Sequence, residues 1–116
     1  MLFYKGLLRS DLRETGFIPG SVAVNCKEAA EWRNRIRSNK SKGAARHVRH
    51  GDAVVIQFEF DEKTLMGPEA FQASGVAEHS RQNCWMSSTK TKAQINQPIA
   101  GYRILSDDEV FDIARM

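Results

Sequence analysis

The sequence predicts an α+β fold: a compact single domain with a mostly antiparallel central sheet and two or three short flanking helices. Three observations carry this. The elements run strand, helix, strand, helix and then mostly strands, without the regular alternation that a doubly wound parallel sheet requires. Only one stretch, from about Cys26 to Ser38, has sustained helical periodicity. The strongest strand signal, Asp52 to Phe60, is β-branched and aromatic and passes into alternation at Ile56, Phe58 and Phe60. At 116 residues the chain has room for one core, so residues 1–116 are expected to form one domain.

Leu2 to Lys5 reads as an opening strand. Ser10 or Asp11 can cap one or two helical turns that Gly16 ends. Phe17-Ile18-Pro19-Gly20 is a turn, because proline fixes its own φ and glycine accepts backbone conformations that other residues avoid. Ser21 to Val24 is a brief strand. Asn25 followed three residues later by Glu28 resembles a capping box. In the helix that follows, Ala29, Trp32 and Ile36 recur at helical spacing and are expected to face the core.

Asp52 to Phe60 is expected to be the central strand, with Ile56, Phe58 and Phe60 on one face and Glu59 on the other. Asp61 to Met66 reads as a helical turn, and Ser74 to Arg81 as a loop without periodicity. Asn83 to Ser88 and Ile99 to Leu105 are further strand candidates, and the polar run Ser87 to Lys92 can donate hydrogen bonds to phosphates or equally form an exposed hairpin or edge segment. Ser106-Asp107-Asp108-Glu109 is a capping box opening a short terminal helix through Arg115.

Composition excludes several classes. No apolar run approaches the roughly 20 residues that span a bilayer, and the first residues lack the pattern of a secretory signal, so a cytoplasmic location and no membrane partner are expected. The two cysteines, Cys26 and Cys84, do not have the spacing of a zinc or redox motif and read as reduced thiols. The formal net charge of +3 is modest, but its distribution is not. Arg33, Arg35, Arg37, Lys40, Lys42, Arg46 and Arg49 follow one another with no acidic residue from Arg33 to Gly51, whereas Asp107, Asp108, Glu109 and Asp112 gather near the C-terminus. Such a cationic stretch suits a phosphate-rich ligand, nucleic acid or an acidic or nucleic-acid-binding protein.

Within it, Arg46-His47-Val48-Arg49-His50-Gly51 gathers two arginines and two histidines just ahead of the longest strand. Guanidinium groups bind phosphate through planar, bidentate hydrogen bonds. His47 and His50 have no carboxylate or thiolate beside them, so no metal is expected there. For acid–base chemistry the candidates are Glu59, read as an outward strand residue, and His79. Trp85 is a candidate stacking surface for a nucleobase.

Several ordered segments resemble a known family. Phe3-Tyr4-Lys5-Gly6 with Asp11-Leu12-Arg13-Glu14-Thr15-Gly16, then Val22-Ala23-Val24-Asn25 with Glu28-Ala29-Ala30, then Arg49-His50-Gly51 entering Val54-Val55-Ile56, and finally Asn83-Cys84-Trp85-Met86-Ser87, resemble in order the catalytic half of RNA 2′-phosphotransferases. These belong to the ADP-ribosyltransferase-like superfamily. The resemblance implies NAD as cofactor, with Lys5, Arg49 and Trp85 binding it and Arg49 and His50 in catalytic roles. It further implies attack on the ribose carbon that bears nicotinamide. Two departures stand against this chemistry: Lys5-Gly6-Leu7 replaces the family's His-Gly-Thr, and no Glu-x-Glu of the transferase type occurs. The alternative is a non-enzymatic basic binder or inhibitor, of a phage or mobile-element type, docking on nucleic acid or on a nucleic-acid-processing complex. For it the basic residues Arg33, Arg35, Arg37, Lys40, Lys42 and Arg46 form the contact surface.

Overall fold

The computed structural model describes residues 1–38, 50–67, 84–87 and 89–115, with His50 by its backbone only. Six strands form one sheet: β1 (Leu2–Leu8), β2 (Ser21–Ala23), β3 (Ala53–Glu59), β4 (Trp85–Met86), β5 (Lys92–Gln94) and β6 (Arg103–Leu105). Two α-helices, α1 (Cys26–Ser38) and α2 (Asp107–Ala114), complete the described fold. The strand order is β4-β5-β2-β1-β3-β6, and every ladder between named strands is antiparallel. The α+β class and the antiparallel sheet are as the sequence predicts.

The centre of the sheet is elsewhere than expected. β1 runs three residues beyond Lys5 to pair with β3 along its whole length, from Leu2 opposite Glu59 to Leu8 opposite Ala53. β1 and β2 therefore occupy the middle, and β3 lies between β1 and the short outer strand β6. Because β3 is covered on both faces, Ala53, Val54, Val55 and Ile56 are all buried in succession. The alternation read from sequence survives only at its end, where Phe58 is buried and Glu59 is exposed. β5 was not legible as a strand, since Lys92-Ala93-Gln94 has little β propensity. The hairpin from Ser87 to Lys92 delivers it against β2, with Ser87 N–H donating to the Lys92 carbonyl at 2.8 Å.

Strand alternation divides the apolar residues into two clusters, one on each face of the sheet. One face gathers Phe3, Leu7, Val22, Ile56, Phe58, Ile95 and Ile99, with the Phe3 and Phe58 rings stacked at 5.9 Å. The other packs Tyr4, Val55 and Leu105 against Cys26 and Ala29 of α1 and Val110 of α2. Between β1 and β2, a single turn of 3-10 helix at Arg9–Asp11 replaces the expected helical turns. Gly16 and Gly20 hold positive φ angles of 80° and 73°, which only glycine adopts without strain. They shape the turns on either side of Phe17-Ile18-Pro19. The expected turn after Asp61 is a 3-10 turn at Glu62–Thr64. Among the described residues no helix is long and apolar enough to cross a membrane.

The helix ends follow the sequence closely. Asn25 Oδ1 accepts from the Glu28 N–H at 2.9 Å, starting α1. Ser106 Oγ accepts from the Glu109 N–H at 3.2 Å while Glu109 Oε1 accepts from the Ser106 N–H at 3.1 Å, a complete capping box on α2.

The rotation of α1 is a correction to the sequence reading. Trp32, expected in the core, is 49% exposed, and the buried residues are Cys26, Ala29 and Arg33. The cause is Gly6. A Cβ at that position would lie 2.3 Å from the Ala29 carbonyl oxygen and 2.8 Å from the Arg33 nitrogen, so the helix backbone rests directly on the strand. Only small side chains fit beneath such a contact, and an indole does not. The inward stripe is therefore the small Cys26, Ala29 and Ala30, continuing into Arg33 and Arg37, one position away from the stripe that periodicity alone suggests.

Candidate functional site

The basic residues of α1 divide by this rotation. Arg33 and Arg37 turn inward, each side chain about 10% exposed, and converge on Asp107 at the start of α2, at 3.4 and 3.0 Å. Arg37 also donates to the Ala53 carbonyl at 2.9 Å. One guanidinium thus ties together the end of α1, the start of β3 and the start of α2. Burial lowers the Arg33 pKa, the neighbouring Arg37 adds to this, and Asp107 opposes it. Both arginines serve to fasten α1, which leaves them poorly placed to meet an outside ligand.

Arg35 and Trp32 face the other way. The Arg35 guanidinium lies over the Trp32 ring, 5.7 Å from its centroid, as a cation–π pair. Both line a groove of about 380 Å³ between α1 and the strands β2 and β5. Tyr4, Gly6, Ser21, Ala23 and Ala29 contribute to its lining, as do Glu28, Glu31 and Lys92. The groove opens where the sheet is wider than its helices. α1 packs against β1, and β2 and β5 continue the sheet past it on the side that Trp32 and Arg35 face.

Lys5 is also among the residues that line this groove. Its register opposite Ile56 sets it on the face of Phe3 and Leu7, and its Nζ donates to the Ser21 carbonyl at 2.7 Å. Burial lowers its pKa, Asp11 partly restores it, and Lys92 depresses it further. The Lys5 side chain lies on the face of the sheet away from α1, although the residue itself contributes to the groove lining. The carboxylate oxygen Glu28 Oε2 is buried without a hydrogen-bond partner.

The structure therefore brings Lys5 and Arg35 to one groove. Trp85, grouped with Lys5 by sequence, sits on the outer strand β4 opposite Gln94 and is absent from the groove lining. Glu59 is 79% exposed at its side chain and, among the described residues, meets only the N-terminal amine, at 3.7 Å, so it lacks the enclosed setting that an acid–base residue needs. Lys40, Lys42, Arg46, His47, Arg49 and His79 lie outside the described residues, as does the side chain of His50. The thiols of Cys26 and Cys84 are both buried and free; burial pushes Cys26 up in pKa. Among the described residues no set of three or more His, Cys, Asp or Glu side chains could hold a metal ion.

Sequence reasoning named Lys92 only as one of a polar run able to meet phosphates, and it missed the outward position of Trp32. Lys92 sat in a polar run with no periodic signal, and Trp32 matched an apolar helical spacing. The available clue was Gly6, a glycine inside a strand, which commonly marks the close approach of another backbone. No family model, curated protein or solved structure matches this chain.

Proposed function

We propose that this protein binds a nucleotide-type phosphate ligand of the NAD or ADP-ribose class in the groove beside α1. The observation that carries the reading is the grouping of Trp32, Arg35 and Lys92 along one groove. A base can stack on the half-exposed indole, and phosphate oxygens can accept from the Arg35 guanidinium and the Lys92 ammonium. The volume lies within the range of small-molecule sites. Sequence resemblance to ADP-ribosyltransferases supports the same ligand class. The proposal is one of binding. Transfer chemistry would call on Arg49 and His50 as well.

The test is calorimetric titration with ADP-ribose, NAD and a short single-stranded oligonucleotide, repeated with Trp32→Ala and Lys92→Ala. ADP-ribose or NAD binding that weakens at least tenfold in both variants supports the proposal. Absence of binding by either nucleotide removes it. Oligonucleotide binding alone, weakening steeply with salt, assigns the surface to a nucleic-acid backbone instead.

A further inference from the structure

The groove carries charges of both signs that do not neutralise one another. Glu28 and Glu31 stand in the first half of α1, Arg35 is about one turn beyond Glu31, and Lys92 comes from β5. At 1.5 Å rise per residue, the seven positions from Glu28 to Arg35 span roughly 10 Å, with Trp32 between them. None of these four groups forms an ion pair with another or with any other described residue, and Glu28 Oε2 is buried without a partner. Arg103, by contrast, pairs with Glu109 at 2.9 Å. A carboxylate end without an ion pair, an indole under the Arg35 guanidinium, and a cationic end without an ion pair in one groove complement a ligand that carries both charges.

We propose that the preferred ligand is a small phosphate ester that also bears a permanent positive charge, with its phosphate at Arg35 and Lys92 and its cation beside Trp32 and the two glutamates. This rests on the phosphate-binding reading of the groove and narrows its ligand class. A purely anionic ester meets two carboxylates that repel it, whereas a cationic nitrogen satisfies them and gains attraction from the indole. Oxidised pyridine nucleotides and quaternary ammonium phosphates share this charge pattern. A free ester and a lipid headgroup present the same charges to the groove.

The experiment compares phosphocholine with 3,3-dimethylbutyl phosphate, its uncharged-carbon counterpart of nearly the same shape, by calorimetry against the intact protein. Phosphocholine is expected to bind about tenfold more tightly, the scale of one cation–π and carboxylate contact. In the double variant Glu28→Gln and Glu31→Gln the ratio is expected to fall to about one, with circular dichroism confirming that the fold persists. A ratio near one in the unaltered protein overturns the inference while leaving the phosphate reading intact. No binding by phosphocholine, its counterpart or ADP-ribose overturns both. Sedimentation with phosphatidylcholine vesicles that outcompetes soluble phosphocholine would overturn the free ester in favour of the headgroup.

Discussion

Gly6→Ala tests the contact on which the helix-facing side of the molecule is built. In the native structure the new Cβ would stand 2.3 Å from the Ala29 carbonyl oxygen, whereas ordinary van der Waals contact begins near 3.4 Å. Relief requires a separation of about 1 Å between α1 and β1, and both partners are backbone, so no side chain can rotate away. Overpacking relieved by side-chain adjustment costs about 1–3 kcal/mol. A backbone-to-backbone clash belongs at or above the top of that range, about 3 kcal/mol. Against a total stability of about 5–15 kcal/mol, this corresponds to a fall in Tm of roughly 10 °C or more for a chain of this size. Thermal unfolding followed by circular dichroism measures it. Gly101→Ala is the control, because its Cβ meets nothing within 4 Å, and its effect should stay within about 0.5 kcal/mol. A Gly6→Ala protein melting within about 2 °C of the parent would refute the direct seating of α1 on β1, and with it the explanation for the outward Trp32.

Other expectations follow from the same structure. Asp107→Ala leaves Arg33 and Arg37 without their shared carboxylate. It should destabilise by about 1–2 kcal/mol in urea denaturation, the loss being moderated by the partial exposure of Asp107. Ser106→Ala removes the α2 cap at a cost of about 1 kcal/mol. Glu109 has its pKa lowered chiefly by its hydrogen bond to the Ser106 backbone, with Arg103 assisting. Its stabilisation is therefore complete above the usual glutamate range and lost as pH falls through the lowered value, so the stability gap between parent and Glu109→Gln should narrow in acid. Lys5 has the opposite character. Burial lowers its folded pKa, so the folded state is disfavoured while the amine is protonated, and this cost fades as pH rises towards the usual lysine range. Lys5→Met should be more stable than the parent at neutral pH, with the difference shrinking in alkali; an unchanging difference would contradict the buried setting of the amine.

The site was partly legible. Lys5 and Arg35 were both singled out from sequence and both contribute to the groove lining, but for different reasons. Lys5 came from a resemblance in the opening strand, whereas Arg35 came from a run of charge that also contained Arg33 and Arg37. Nothing in that run distinguishes the arginine that faces solvent from the two that fasten the helix. Their fates depend on Asp107, about seventy positions away, and on the angle at which α1 meets the sheet.

What the sequence by itself determined is local. Asn25 and Ser106 start the two helices through side-chain oxygens that bond amides three residues on. Gly16 and Gly20 supply the positive φ angles of their turns, and the β-branched run from Ala53 to Ile56 makes a strand wherever it is placed. The energies behind these features come from neighbours in the chain, so they can be read without knowing the fold. What only the tertiary structure decided is which surfaces meet. The place of β1 and β2 at the centre of the sheet, the recruitment of Lys92-Ala93-Gln94 as a strand, and the rotation that buries Arg33 and exposes Trp32 all depend on contacts between distant segments. The groove is a product of those contacts, formed where a wide sheet passes the edge of a helix seated on one glycine.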